Sequence, residues 1–468
     1  MSEVMSAAKP RQVTLLSGAV LLATVGFLVL SSSYPSHWVV ISALVTLGVF
    51  PYIYEAAVGQ VDPFSPVMWF APVFTIVYAI SAARRLLNLD FVFQAEYTVS
   101  DPETVILEVL LLATVGLSVL LFGYYRTWGR ALAARAPRFS KGWSSRKAWL
   151  AIVVTTALGL YGFWLLSSSL GAGPRSHLAK GNSRVAFVLV NLLNVASILL
   201  LADTLISAVS YEELTIEIRQ PWKLIVAVPF VLFNVRLLWL LGGRGRAFSI
   251  FVVCVFLIHY LIYQFSLLEG FIVFIGVKII PAWAAAVVTA ALRIDIAALA
   301  YHLQHPFLFR ESPTRPFNNV VVLISGVPEI QSFTYGETFL SAFFEVIPLQ
   351  PFRETNTVYN AAFYPSIAGD YGVPITMLGE LYLNFWIPGI VLGLLLMGVI
   401  IRGSYEWLIL QRPSYASIVI FATLANDFLL MGNFSNALPG TALLLVPLCC
   451  CLYFISGGFD SRQSVEET

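Results

Sequence analysis

Charge is what this chain has least of. Only 11% of its 468 residues are Asp, Glu, Lys or Arg, against about a quarter in an ordinary soluble domain. That is too little polar surface to coat a water-soluble body. With 58% apolar residues and a mean hydropathy of +0.82, the chain reads as embedded in lipid. Net charge is scarce as well: a formal balance of +1 gives no basic stripe of the kind a nucleic-acid partner needs. Cysteine is confined to Cys254 and the run Cys449 to Cys451, inside apolar stretches. These match no zinc spacing and no disulfide framework, and read as small apolar residues facing lipid or other helices. No Walker-type P-loop, HExxH, GxSxG or early external Asp-x-Asp is present.

What the chain does have is long apolar runs. They do not alternate as barrel strands would, and a helical span needs roughly 20 such residues. Runs near 13–31, 38–58, 65–82, 104–124, 148–170, 185–209, 222–241, 247–265, 268–290, 379–401, 415–432 and 437–456 predict an all-α, polytopic membrane protein of about twelve transmembrane helices. Pro66 and Pro72 interrupt the third run. Lys9 and Arg11 precede the first, Val13 to Leu30, which is long for a signal-peptide core and lacks a small-residue cleavage site, so it reads as a span. One large external segment is expected between the ninth and tenth spans. The divisions are residues 1–291, an N-terminal helix array; 292–378, an external loop with short interfacial helices; 379–456, the C-terminal spans; and 457–468, a disordered cytoplasmic tail.

Orientation follows from the Lys/Arg bias of short loops. Arg126, Arg130, Arg135, Arg138, Lys141, Arg146 and Lys147 follow the fourth span with no acidic residue among them, which marks that loop as cytoplasmic and puts both termini inside. Arg402 and Arg412 then fall inside too. The same count places Arg175, Lys180, Arg184, Arg244 and Arg246 outside. Cations on the wrong side mean either a different span count or an anion bound there.

Polar residues gather in three places. The first is Gly242-Gly243-Arg244-Gly245-Arg246, between two apolar helices with almost no loop. Glycines allow a sharp turn and close approach, a helix beginning near Ala247 would aim its N–H groups at the same spot, and Arg forks match phosphate. The alternative is a tight turn whose arginines snorkel to headgroups. Arg236 lies eight residues before Arg244, on the entering helix. Lys278 and Asp427 also lie within spans, where a charge faces a cavity or another charge; pairing of Asp427 with Arg236 or Lys278 is an equal alternative to a site role. Asp203 and Glu55 sit near the cytoplasmic ends, where a structural role is expected.

The second place is the external segment, with Tyr335-Gly336-Glu337-Thr338-Phe339-Leu340, then Ile347-Pro348, then Arg353-Glu354. Phe339, Leu340, Phe343 and Val346 recur at helical steps from Tyr335 to Val346, ended by Pro348 and Pro351. This predicts a short interfacial helix that lids a cavity or merely packs, with solvated glutamates. His302 and His305 lie in the same segment. The third place is re-entry into the membrane after Gly369-Asp370-Tyr371-Gly372, through Gly379-Glu380-Leu381-Tyr382-Leu383-Asn384-Phe385. Glu380 and Asn384 are one turn apart and share a face. Tyr382 and Trp386 read as interfacial aromatics, and Gly389 and Gly393 as a packing step.

The ordered set of Gly-Gly-Arg-Gly at 242–245, Tyr335 to Leu340, Ile347-Pro348, Gly372-Val373-Pro374, and Gly379 to Phe385 with Gly389 resembles the O-antigen polymerase (Wzy-type) family, the oligosaccharide repeat unit polymerases. The resemblance covers roughly 240 to 400. Relatives often carry Trp and Lys or Arg soon after the Ile-Pro, where this chain has Leu349-Gln350-Pro351-Phe352-Arg353. They often carry an arginine before the last span, where it has Met431-Gly432-Asn433-Phe434.

The resemblance implies an integral-membrane glycosyltransferase in the plasma membrane. It would join repeat units carried on polyprenyl diphosphate into a surface polysaccharide, with donor and acceptor lipid-linked oligosaccharides as its partners. A chain-length regulator and a flippase would work beside it. Neither a cofactor nor a metal is implied. Arg244, Arg246, Arg353 and Arg236 would hold the diphosphate. Glu337, then Glu380, then His302 are the candidate bases, and Tyr335, Asn384 and Asp370 the candidate glycan contacts. The nearest alternative is an O-antigen ligase with the same donor and another acceptor. A lipid-linked oligosaccharide flippase is the more distant one; it would favour charges along a central path in paired inverted halves.

Overall fold

The computed structural model describes residues 35–59, 61–87, 99–167, 181–212, 215–240, 244–270, 272–273, 276, 314–344, 355–365, 375–410, 413–429 and 434–459. The expected span at 13–31 and most of that at 268–290 lie outside these residues. Among the described residues six helices are long and apolar enough to cross a membrane, and the protein is a helical membrane protein. The helices are α1 (Pro35–Val58), α2 (Pro66–Leu86), α3 (Pro102–Tyr125), α4 (Trp128–Ala134), α5 (Ser145–Ser167) and α6 (Gly181–Ala208). After a short hairpin come α7 (Pro221–Leu240), α8 (Arg244–Leu261), α9 (Thr314–Gly326), α10 (Glu337–Phe344), α11 (Thr355–Phe363), α12 (Met377–Leu410), α13 (Tyr415–Leu429) and α14 (Phe434–Ser456).

The prolines of α2 do not break it. Pro66 occupies the first turn, where a missing N–H costs nothing. Past Pro72 the helix loosens into a π turn at Ile76–Ile80 before closing again. The expectation of an all-α chain needs one correction: an antiparallel hairpin, β1 (Val209–Glu212) and β2 (Thr215–Ile218), pairs Val209 with Ile218 and Glu212 with Thr215. Val209, Tyr211, Thr215, Ile216 and Ile218 are β-branched or aromatic residues, suited to a pleated ribbon.

Glycines set the closest helix contacts. A Cβ at Gly398 would lie 2.1 Å from the Leu120 carbonyl oxygen, and one at Gly123 2.3 Å from that of Leu395, so α3 and α12 touch backbone to backbone. Gly159 and Gly162 of α5 make room for the Leu193 and Leu189 side chains of α6.

Successive crossings gather into two ends. At one, α4 and the arginine-rich stretch meet the ends of α6, α12 and α14. Trp143, Ser145 and Lys223 all bond Asp203; Arg130 and Arg402 pair with Glu406; Ser140 N–H donates to the Gly458 carbonyl at 3.0 Å. At the other end His37 bonds the Glu103 carbonyl at 2.9 Å, joining the starts of α1 and α3. The described part of the segment expected to lie outside the spans does more than lid the bundle. In α9, Phe317, Val320, Val321, Val322 and Leu323 are buried in the main core, and Val320 and Leu323 line the place where Gly379 packs.

Candidate functional site

The residues from 379 to 401 were expected as one span. Instead α12 breaks at Phe385 (φ −140°, ψ 18°) and Trp386 (φ 55°, ψ −147°). Pro388 explains the position, because its ring excludes the Asn384 carbonyl and it has no N–H to donate there. The break is a reversal. Residues eight apart are about 12 Å apart along a helix axis, yet a Cβ on Gly389 would sit 2.5 Å from the Leu381 carbonyl oxygen, and one on Gly393 2.4 Å from a Leu381 methyl. Residues 377–384 therefore form a half-helix folded back on the longer limb, and Gly389 and Gly393 make room for it.

This half-helix begins at a cap. The Thr376 hydroxyl accepts from Gly379 N–H at 3.4 Å and contacts the Tyr78 hydroxyl from the π turn of α2. Glu380 lies in the first turn, where the helix dipole favours a carboxylate. It is wholly buried, with the Thr338 hydroxyl 3.4 Å from Oε1.

The half-helix ends on the Tyr335 motif. Its last carbonyls, Leu383 and Asn384, accept from Thr334 N–H at 3.0 Å and Tyr335 N–H at 3.1 Å, satisfying groups a helix terminus leaves open. Asn384 stitches the two segments together. Its Oδ1 accepts from Gly336 N–H at 2.9 Å and Thr334 Oγ1 at 2.8 Å. Its Nδ2 donates to Thr338 Oγ1 at 2.7 Å and to the Glu380 carbonyl at 2.8 Å. All the bonding positions of this buried amide are thus filled within the protein.

Backbone strain gathers at the same place. Among the described residues Tyr335 (φ 47°) and Trp386 (φ 55°) are the non-glycine positions with positive φ, each costing on the order of 1–3 kcal/mol. Gly336 also has positive φ, at 90°, and a Cβ there would meet the Phe385 ring at 3.0 Å. Phe385 in turn stacks on Phe339 of α10. Helix α10 starts at Glu337, later than the helix-like pattern from Tyr335 suggested, because Tyr335 and Gly336 are spent on the turn. Glu337 is half-buried beside an exposed Tyr335.

The structure thus joins Glu337, Glu380, Asn384 and Tyr335 in one site from two segments more than 40 residues apart, as the Thr338–Glu380 separation of 42 shows. Arg236 is exposed on α7. The backbone of α8 begins at Arg244, not near Ala247, so Arg244 and Arg246 belong to its first turn; their side chains, and that of Asp427, lie outside what is described. His302, His305, Arg353, Asp370 and Lys278 also lie outside the described residues. Among the described residues no group of His, Cys, Asp or Glu is arranged to hold a metal. Thr334 was not singled out from sequence; Thr338 and Phe385 stood only as members of longer motifs, and Trp386 only as an interfacial aromatic. Pro388, inside an apolar run, was the available signal for the break.

Comparison with protein-family models, curated proteins and solved structures finds no match to this chain.

Proposed function

We propose that this protein is an integral-membrane glycan transferase similar to the O-antigen polymerases, and that it extends a polyprenyl-diphosphate-linked oligosaccharide. The observation that carries the reading is the joining of the Tyr335–Thr338 and Gly379–Asn384 segments by the Asn384 amide. Both motifs of the resemblance meet in one strained site. The site lies at the end of the bundle away from the arginine-rich stretch, so the Lys/Arg bias would place it on the outer face.

In this reading the acceptor sugar hydroxyl attacks the anomeric carbon of the donor's first sugar. The bond from that carbon to the diphosphate oxygen breaks and the lipid diphosphate leaves. The hydroxyl proton passes to Glu337, which is half-buried and adjoins the exposed turn. Glu380 and Asn384 are buried and hold the turn in shape, so their part is positioning. Arg244 and Arg246, at the start of a helix, would stabilise the charge on the leaving diphosphate.

The test is glycan length on a gel in a deletion strain complemented with wild type or Glu337→Gln. Wild type restores a ladder, and Glu337→Gln leaves a single repeat unit on its normal carrier. A full ladder with Glu337→Gln removes that residue from the chemistry. Full-length glycan accumulating on the polyprenyl lipid in the deletion strain would make the protein a ligase, and glycan confined to the inner face would make it a transporter.

A further inference from the structure

The two strained residues of the site share a second property. Tyr335 is 78% exposed and Trp386 50% exposed, although each occupies a backbone conformation that glycine adopts without strain. Trp386, with φ 55° and ψ −147°, is close to a region almost reserved for glycine. Nothing in the turn itself calls for a large ring at either place. Strained backbone is held only where its surroundings over-determine it, and Asn384 does so for Tyr335 by accepting from Thr334 and Gly336 on either side of it.

The rings form one connected group. Phe333 packs 6.4 Å from Tyr335 and 6.1 Å from Tyr382, and the Tyr382 hydroxyl lies near the Trp386 side chain. Tyr382 is buried, so it and Phe333 form the floor, while Tyr335 and Trp386 stand at the surface. Glu337, two residues from Tyr335, supplies a carboxylate at the edge.

We infer that Tyr335 and Trp386 are a stacking platform for sugar rings of the glycan. The negative faces of aromatic rings attract the polarised C–H groups on a pyranose face, and a nearby carboxylate accepts hydroxyl hydrogen bonds. Aromatics that only anchor a helix at a lipid interface need the ring at the right depth, which unstrained backbone provides. The inference rests on the glycan reading above and gives it a subsite: the platform holds a sugar beside Glu337.

The test uses the full chain in lipid nanodiscs, with Tyr335→Gly, Tyr335→Phe, Trp386→Gly and Trp386→Phe. The probe is the soluble oligosaccharide repeat unit released from the host's own surface polymer, with binding measured by saturation-transfer NMR. Glycine relieves the strain and removes the ring; phenylalanine keeps both. Each glycine variant should weaken binding by about tenfold while melting no lower than wild type, and each phenylalanine variant should bind within about threefold of wild type. Glycine variants that bind like wild type overturn the platform, as do phenylalanine variants that lose as much as the glycine ones. A wild-type protein that does not bind the oligosaccharide overturns it too. If the platform binds sugar but deletion of the protein leaves the ladder intact, the polymerase reading fails and the platform stands.

Discussion

The two ends of this bundle handle polar groups in opposite ways. At the arginine-rich end, the buried carboxylates of Asp203 and Asp62 are each met by several donors. Asp203 takes Lys223 at 2.7 Å, Ser145 at 2.7 Å and the Trp143 indole at 3.1 Å. Asp62 accepts from Phe64 N–H and the Tyr260 hydroxyl, each at 2.8 Å, from the Tyr405 hydroxyl, and from His259 at 3.3 Å. The His259 tautomer follows, because Nδ1 accepts from Phe265 N–H at 3.0 Å and leaves the proton on Nε2, facing Asp62. At the other end the bonds around Asn384 are equally good, but they hold Tyr335 in strained backbone beside an equally strained Trp386, and both rings are exposed. One end uses its hydrogen bonds to lock helices together. The other uses them to keep an unfavourable shape, which is how a binding site is preorganised.

The comparison can be broken first where it is most costly. Lys223 and Asp203 are both buried, so Lys223→Met strands a charge and should lower stability by about 3–5 kcal/mol, read as a fall in melting temperature in detergent. Adding Asp203→Leu should recover most of the loss; a double variant no better than the single would show that the pair is not the cause. Glycan length per folded molecule should be unchanged in both.

Asn384→Ala comes next. It leaves the Gly336 N–H without its partner and should cost about 2–3 kcal/mol, with loss of the polymer ladder beyond what lower abundance explains. Asn384→Asp keeps Oδ1 but loses the donor to Thr338 and Glu380, and should fall between. An Asn384→Ala protein with a normal ladder would separate the strained turn from function.

Crowding the fold-back is a smaller disturbance. Gly393→Ala brings a methyl against Leu381 and should cost about 1–3 kcal/mol, and Leu381→Ala added to it should restore stability. Independent effects in that pair would argue against the reversal at Trp386.

The smallest effect is on pH dependence. Burial of Asp62 disfavours its charge, but the bonds from His259, Tyr405 and Phe64 outweigh this and hold its carboxyl below the ordinary range. A depressed native value gives stability that is complete above the unfolded value, about 3.9, and is lost as pH falls through the native one. Asp62→Asn should therefore flatten the acid limb of a stability–pH profile and leave the limb above pH about 5 in place.

Much of the helical frame was legible because lipid imposes a simple rule: each span must satisfy its own backbone and present apolar side chains. The expected run 104–124 falls inside α3, and 185–209 overruns the end of α6 by one residue, Val209, the first of β1. The structural reading of Asp203 also rested on position alone, near the end of a span, and its ties to Lys223 and Ser145 agree with it. The reversal in α12 was not legible from apolarity, since residues 377–384 run without a break into the long apolar stretch that follows. Pro388 could mark a break but not its angle. Nor could one-turn spacing reveal that the Asn384 amide bonds the backbone at residue 336.

Composition by itself determined that this chain is a helical membrane protein, because 11% charged residues cannot solvate a body of this length. The order of its polar motifs determined which residues deserved attention. Only the tertiary structure decided that Glu337 and Glu380 belong to one site, that Asn384 is a brace, and that Tyr335 and Trp386 are held out in strained backbone. Those outcomes depend on where a kinked helix lands and which loop caps its freed carbonyls. Such contacts between distant segments are settled by packing, and no local pattern encodes them.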